Sequence, residues 1–206
     1  MTRQHGFSLL ELAVVLVILG LLLGGLLTPL GTSMEHRRVV VTDTNLALAQ
    51  EALLGFALVH GRLPCADQDG DGNEDCPLNG EGALPWQTLG LTRTRGYDAW
   101  GNALRYRPDG AFTGVALADP PHTTDGLRVQ EADGTPLTAG NPNAPVAVVL
   151  ALGPDHLGNG ENGTADTVFT DTAWCTSGCT VHFDDRLVVL GRNVLIARLA
   201  AAGRWP

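Results

Sequence analysis

The chain has 206 residues, enough for an anchor segment and one globular domain. Asp and Glu (22) outnumber Lys and Arg (13), giving a formal net charge of -9. Because affinity for nucleic acid depends largely on neutralising phosphates with Lys and Arg, no nucleic-acid partner is expected for this acidic chain. The 26 Gly and 12 Pro lie mostly beyond residue 60 and predict short elements joined by many turns there.

A short polar segment, residues 1–6, is followed by an apolar run at residues 12–30. At a rise of about 1.5 Å per residue, a helix of this length nearly spans the hydrocarbon core of a bilayer. A secretory signal peptide would place small residues and a cleavage site after the run. No such site follows Leu27, so we predict that the apolar segment is retained as an anchor.

Glu11 is an unusual residue beside this run, because a carboxylate next to a membrane span is costly. One interpretation is that it lies at the headgroup boundary and is simply solvated. The other requires a cut after Gly6, which leaves a positive amine on Phe7 about one helical turn from Glu11. In an assembly that carboxylate would pair with the amine of a neighbour, neutralising both charges in apolar surroundings.

The sequence Gly-Phe-Ser-Leu-Leu-Glu-Leu at residues 6–12 resembles the prepilin peptidase site of type IV pilins and type II secretion pseudopilins. The resemblance implies a cut between Gly6 and Phe7, N-methylation of Phe7, and a role for Glu11 in guiding the subunit into a filament. It also implies three partners: prepilin peptidase, other pilin or pseudopilin subunits, and the bacterial inner membrane. The head would lie in the periplasm, or outside the cell within a filament. A plain signal anchor is the alternative.

The helix is predicted to continue beyond the apolar run. Val39, Leu46, Leu53 and His60 recur every seven residues, an amphipathic helical pattern that ends at Gly61. The predicted fold class is α+β, with this long helix packed on a small, mostly antiparallel sheet. The predicted segments are a leader removed at 1–6, a transmembrane and assembly helix at 7–30, its amphipathic continuation at 31–61, and a β-rich head at 62–206.

Apolar runs in the head predict four strands and a final helix. The run at residues 146–152 is apolar throughout and is typical of a central strand covered on both faces. Asn193 is the predicted N-cap of the helix. The other strands are predicted at residues 103–107, 168–169 and 187–190, and the helix at residues 194–202.

A turn in the head adds to the resemblance. Residues 96–102, Gly-Tyr-Asp-Ala-Trp-Gly-Asn, resemble the Asp-Pro-Trp-Gly-Asn stretch of pseudopilin heads, with Ala99 in place of the usual Pro. Gly101 and Asn102 suit a tight turn, and Trp100 offers a large apolar face to pack beneath it.

The four cysteines form two local pairs, Cys65 with Cys76 and Cys175 with Cys179. An even number of cysteines in local pairs, beside an export-type N-terminus, favours disulfides in an oxidising compartment. The alternative is a zinc site with four thiolates, but neither pair has the usual Cys-x-x-Cys spacing.

Acidic residues alternate between Cys65 and Cys76, with Gly70 and Gly72 between them. Oxygen ligands at every second position, with Gly allowing a sharp turn, are what a calcium loop requires. The alternative is a solvated acidic turn held by a disulfide. The candidate calcium ligands are Asp67, Asp69, Asp71, Asn73 and Asp75.

A second candidate loop follows the central strand. Residues 153–160 resemble the Gly-rich loop that binds calcium in the major type II secretion pseudopilin. The resemblance implies Asp155, Asn159 and Asp166 as ligands here. The alternative is an ordinary Gly/Asn turn.

No catalytic motif is found, and the chain is predicted not to be an enzyme. Asp184 and Asp185 are interpreted as a strand-entry feature, because neighbours on one strand face opposite sides. His122, His156 and His182 are interpreted as separate loop residues. A membrane-anchored periplasmic hydrolase is the least favoured alternative.

The favoured function is a minor pilin or minor pseudopilin, built into a type II secretion pseudopilus or a type IV pilus. Its role would be structural, and the acidic head argues against capture of DNA. The alternative is a filament-displayed adhesin or a module that recognises secreted cargo.

Overall fold

The structure is a computed structural model that describes residues 8–76, 80–114 and 122–204, with the backbone alone for residues 22–32. Its first element is a 52-residue helix, α1, at Leu9–His60. The chain divides into two units, one ending at Val40 and one beginning at Val41. The predicted helix of about fifty residues is thus confirmed. The predicted division into leader, transmembrane helix, amphipathic continuation and head stays a prediction.

Helix α1 ends where the sequence predicts. The amide of Gly61 donates to the carbonyl oxygen of Ala57 (2.8 Å), and Gly61 then takes a φ of 68°. This left-handed conformation favours glycine, so it ends the helix at little cost. The chain then turns back along the head, where the buried Tyr106 hydroxyl donates to the carbonyl oxygen of Pro64 (3.1 Å).

In its described residues, the unit that begins at Val41 contains six strands and a second α-helix. Four of the strands form an antiparallel sheet in the order β1-β2-β4-β6. The other two, β3 and β5, form a parallel pair. The bounds are β1 Gly82–Ala83, β2 Arg105–Pro108, β3 Arg128–Gln130, β4 Pro145–Ala151, β5 Val168–Thr170, β6 Arg186–Gly191 and α2 Arg192–Ala201.

Strand β4 is buried along its whole length, as its apolar sequence predicts. Val149 packs into the main core with Leu46 and Leu53 of α1, whereas Val148 packs into a smaller cluster with Phe169 of β5. Successive side chains of a strand point to opposite faces. The helix therefore covers one face of β4, and the β3–β5 pair covers the other.

The α+β class and the mostly antiparallel sheet are confirmed. The four predicted strands correspond to β2, β4, β5 and β6, and the predicted helix corresponds to α2. The predicted N-cap at Asn193 is wrong: Gly191 occupies that position, with no side-chain capping bond, because the helix follows β6 directly. Strands β1 and β3 are not predicted from the sequence. The membrane half of α1 stays a prediction.

Candidate functional site

The N-terminus of α1 begins with a local capping arrangement. The Ser8 hydroxyl oxygen accepts a hydrogen bond from the Glu11 amide (3.3 Å), and the Ser8 carbonyl oxygen accepts from the amides of Glu11 (3.0 Å) and Leu12 (3.2 Å). The Glu11 carboxylate lies in the first turn and is exposed. An anionic side chain is favourable there because the first amides of a helix point towards it. Gly6 and Phe7, the predicted processing residues, lie outside the described residues.

A continuous apolar surface surrounds Glu11 on α1. Leu9 and Leu10 are 89% and 77% exposed, and large aliphatic side chains continue on all sides up to Leu21. Within the part of the chain that the structure describes, no helix has the length and apolarity to cross a membrane.

The acidic loop of the head folds around Asp67. This carboxylate is buried, and its two oxygens accept hydrogen bonds from the amides of Gly70 (2.7 Å) and Gly72 (2.8 Å). Asp67, Asp69 and Asp71 each offer an oxygen, and these oxygens lie within 4.8 Å of one another. The loop thus brings three of the five predicted calcium ligands together.

The other two predicted ligands have local partners. The Asn73 side-chain amide donates to Asp71 (2.9 Å), and the Asp75 carboxylate accepts from the amide of Gln68 (2.7 Å). Asn73 and Asp75 therefore shape the loop around the three aspartates rather than joining their group.

A disulfide and an ion pair hold the ends of this loop. Cys65 and Cys76 are bonded, with their Cα atoms 5.5 Å apart. Glu74 accepts two hydrogen bonds from the Arg62 guanidinium (both 2.7 Å) and one from the Cys65 amide (3.0 Å). The bond from Arg62 is the main cause that lowers the pKa of Glu74. Both predicted disulfides are confirmed, since Cys175 and Cys179 are bonded as well.

The loop after β4 packs against the chain that enters β6. The amide of Asp155 donates to the Asp184 carboxylate (3.1 Å), and the amide of Asn159 donates to the Asp185 carboxylate (2.7 Å). In return, the Asn159 side-chain oxygen accepts from the Asp184 amide (2.8 Å). Asp184 and Asp185 are buried to 0% and 3% exposure. These reciprocal bonds join the two segments into one polar network.

His182 completes a group of possible metal ligands in this network. Its Nε2 atom lies 3.4 Å from an oxygen of Asp155 and 3.4 Å from Oδ1 of Asp184, and the three donor atoms lie within 4.8 Å of one another. Two of the predicted ligands, Asp155 and Asn159, are brought together, because the Asn159 side-chain nitrogen donates to Oδ2 of Asp155 (3.3 Å). Asp166 is not part of the group, and its Oδ1 accepts the amide of Val168 (2.8 Å).

Burial dominates the electrostatics of the two adjacent carboxylates. Loss of hydration raises the pKa of Asp184, and it raises the pKa of Asp185 to about 7 although two Asn donors oppose the shift. One oxygen of each carboxylate, Oδ1, is buried without a hydrogen-bond partner. Buried acceptors are normally satisfied, so these two atoms mark an incomplete polar site.

The turn that resembles pseudopilin heads supports this loop from the other side. Asp98 accepts the amides of Trp100 (2.9 Å) and Asn102 (2.8 Å), as expected of a tight turn. The Asn102 side chain donates to the carbonyl oxygen of Gly153 (2.8 Å). Trp100 stacks on Trp174 with ring centroids 6.0 Å apart.

The comparison with family models gives one match, to the prokaryotic N-terminal methylation motif at residues 1–27. This motif and the similarity described next support a relationship to the type IV pilin-like family. A similar protein is the type II secretion system core protein G of Aeromonas hydrophila, which is 28% identical over 110 residues. The alignment covers 53% of this chain and 77% of that protein. No solved structure matches.

The methylation motif accounts for the N-terminal features, and the polar network of the head has to be explained from its own contacts. Within the described residues, Ser8 and Glu11 give the motif a second, local role as the start of α1.

The sequence interpretation missed His182, Asp184 and Asp185. The two aspartates precede β6 rather than lying on it, so both turn into the polar network instead of facing opposite sides. His182 is brought in by pairing of Cys175 with Phe183, whose backbones exchange hydrogen bonds of 2.7 and 2.9 Å. The sequence does contain a signal for this group, the adjacent Asp184 and Asp185 after the Cys175–Cys179 loop. That signal points to a site only once β4 is known to pair with β6.

Proposed function

We propose that this chain is a minor pilin or minor pseudopilin. In this proposal prepilin peptidase cuts after Gly6, Phe7 becomes the methylated N-terminus, and the subunit enters a type II secretion pseudopilus or a type IV pilus. The observation that carries the proposal is the methylation motif at residues 1–27, which contains the capped helix start at Ser8 and Glu11. Residues 7–30 would anchor the subunit in the inner membrane, and the head would lie in the periplasm or on a filament.

The exposed apolar surface of α1 supports an assembly role. Leaving side chains such as Leu9, Leu10 and Leu16 in water costs free energy in proportion to their area. A bilayer would cover this surface before assembly, and the helices of neighbouring subunits would cover it in a filament. In such surroundings the Glu11 carboxylate is stable only if it is paired, and the amine of Phe7 on a neighbour supplies the opposite charge.

The extent of the alignment supports a minor subunit. The similar region takes in 110 of the 206 residues, so almost half of this chain lies outside the alignment with core protein G of the type II secretion system. The head also contains two disulfide loops and the separate β3–β5 pair. A subunit with a large head is better suited to a position that few copies occupy than to the uniformly packed shaft of a filament.

The proposal is tested by the mature N-terminus and by Glu11→Gln. Mass spectrometry of the protein from its native host should show methylated Phe7 as the first residue. Glu11→Gln keeps the side-chain shape but removes the charge, so the subunit should reach the membrane and crosslink less to its neighbours. Glu51→Gln is the matched control, because Glu51 is an exposed glutamate on the same helix.

Two results would overturn the proposal. A mature protein that begins at Met1 or beyond Leu27 would exclude processing at Gly6. Equal incorporation of Glu11→Gln and the unchanged chain would exclude the proposed role of the Glu11 charge.

We also propose calcium as the ligand of the disulfide-held acidic loop. The oxygens of Asp67, Asp69 and Asp71 form an all-oxygen donor group, which suits a hard cation. A bound ion at 100 times its Kd would stabilise the head by about 2.7 kcal/mol. Calcium should therefore raise the melting temperature of the full chain, and less so for Asp71→Asn. Asp133→Asn, at an exposed aspartate outside the loop, is the control. An equal rise in melting temperature for the unchanged chain, Asp71→Asn and Asp133→Asn would reject calcium binding by the loop.

A further inference from the structure

The polar network between the loop after β4 and the segment that enters β6 contains a possible nitrogen ligand, His182. The resemblance to a calcium-binding loop predicts only oxygen ligands there. His182 Nε2 faces Asp155 and Asp184 at 3.4 Å each, while Asp166 is outside the group. Calcium takes six to eight oxygen ligands, and imidazole is not among them. The residues present therefore do not fit calcium, and the donor set needs a different interpretation.

Asp184 provides the strongest sign that a ligand belongs here. Its side chain is fully buried, and Oδ1, which lies 3.4 Å from His182 Nε2, makes no hydrogen bond within the described residues. A buried carboxylate oxygen without a hydrogen bond is costly. A cation between Asp184, Asp155 and His182 would satisfy that oxygen.

The geometry and the donor types agree on the class of cation. Tetrahedral zinc has bonds of about 2.0 to 2.1 Å to His nitrogen and carboxylate oxygen, which places neighbouring donors about 3.3 Å apart. The two distances of 3.4 Å from His182 Nε2 match this spacing. Imidazole together with carboxylates favours zinc and related transition metals over calcium and magnesium.

We propose that Asp155, His182 and Asp184 form a binding site for a divalent transition-metal ion of the zinc class. His182 is 44% exposed in its side chain, so the site opens to solvent, which supplies the remaining ligand. This site goes beyond the proposed filament role and does not depend on it.

The surroundings hold the three ligands in place. The other oxygen of Asp155 accepts the amide of Leu157 (2.8 Å), and the other oxygen of Asp184 accepts the amide of Asp155 (3.1 Å). Such outer bonds orient metal ligands and contribute strongly to affinity. The backbone pairing of Phe183 with Cys175 fixes the chain on the C-terminal side of His182. A metal here would crosslink the loop after β4 to the segment that enters β6.

The test uses the full chain in detergent micelles after removal of metals with a chelator. Cobalt(II), a coloured substitute for zinc, should bind with one equivalent and give visible absorption bands typical of a tetrahedral site. Zinc should displace it, and a large excess of calcium should not. His182→Gln and Asp184→Asn should each lower the affinity for cobalt and zinc by at least about tenfold.

Two controls separate this site from general metal binding. His36→Gln removes an exposed histidine on α1 and should leave the affinity unchanged. Asp166→Asn removes the predicted ligand outside the group and should also bind normally. Because His182 is partly exposed, His182→Gln is expected to fold, and its near-ultraviolet circular dichroism should match that of the unchanged chain.

The proposal is overturned if His182→Gln binds cobalt as well as the unchanged chain does. It is also overturned if calcium displaces the metal stoichiometrically, because that would mean an all-oxygen site. Normal processing at Phe7 together with failure of cobalt binding would reject the metal site while leaving the filament role intact.

Discussion

Gly158 tests whether the loop after β4 is as tightly closed as its contacts indicate. A Cβ atom at this position would lie 2.6 Å from the amide nitrogen of Gly163 and closer still to the carbonyl group of Asn162. These are backbone atoms, so no side chain can rotate away. In Gly158→Ala the two sides of the loop must separate by roughly 1 Å, because packed interiors do not absorb such overlaps.

The cost can be worked out from Asn162, which is fully buried. Its side chain donates to the Thr170 carbonyl oxygen (2.9 Å) and the Asp185 carboxylate (2.8 Å), and it accepts from the Thr170 amide (2.8 Å). Displacement of Asn162 weakens all three bonds, each worth about 0.5 to 1.5 kcal/mol. We therefore expect Gly158→Ala to lower the free energy of unfolding by about 2 to 4 kcal/mol.

Gly140→Ala is the matched control. Gly140 is also a loop glycine without a positive φ, and a Cβ atom there would meet nothing within 4 Å. It should be neutral or stabilising by up to about 1 kcal/mol, because alanine restricts the unfolded chain. Urea unfolding of the full chain in detergent, followed by tryptophan fluorescence, compares the two variants. Equal stability of Gly158→Ala and Gly140→Ala would refute the tightly closed loop.

Two further substitutions test other parts of the head. Gly55 is an exposed position in α1 with open space around a Cβ atom. Gly55→Ala should therefore stabilise the chain by about 1 kcal/mol. A lower melting temperature for this variant would mean that another group packs against this face of the helix. Glu74→Gln should destabilise by about 1 to 2 kcal/mol at pH 7, since it breaks the partly exposed pair with Arg62. The pKa of Glu74 is lowered in the folded state, so its contribution is present above the usual value of 4.5 and is lost as the pH falls below it. As the pH is lowered from 5, the unchanged chain should therefore lose more unfolding free energy than Glu74→Gln. If urea unfolding gives the same pH dependence for both proteins, the ion pair of Glu74 with Arg62 does not stabilise the fold.

The elements that the sequence predicts are those whose signal is local. Helix α1 follows from an apolar run and a seven-residue repeat, and β4 follows from seven consecutive apolar or small residues. Strands β1 and β3 have two and three residues, and only Val129 of β3 is buried. Such strands carry too little pattern to be recognised, because their pairing partners, rather than their own side chains, make them strands.

The acidic loop shows that a local sequence pattern also predicts only part of a site. Its alternating aspartates predict a cluster, and Asp67, Asp69 and Asp71 do come together. The sequence does not distinguish a ligand from a residue that shapes the backbone. Asn73 and Asp75 have the same spacing as the others, yet their oxygen and nitrogen atoms are used in bonds to Asp71 and Gln68.

The metal-ligand group near β6 depends on strand order, which the sequence pattern leaves open. Both strands were predicted, but an antiparallel sheet of four strands permits several neighbours for β4. Once β4 pairs with β6, Ala151 is opposite Arg186, and the chain leaving β4 must run beside the chain entering β6. Asp155 and Asp184, 29 residues apart, then meet because each lies a few residues beyond the same end of the pair. The register of two strands thus determines the site, and any homologue that keeps this register with acidic residues at both positions should bring its carboxylates together in the same way.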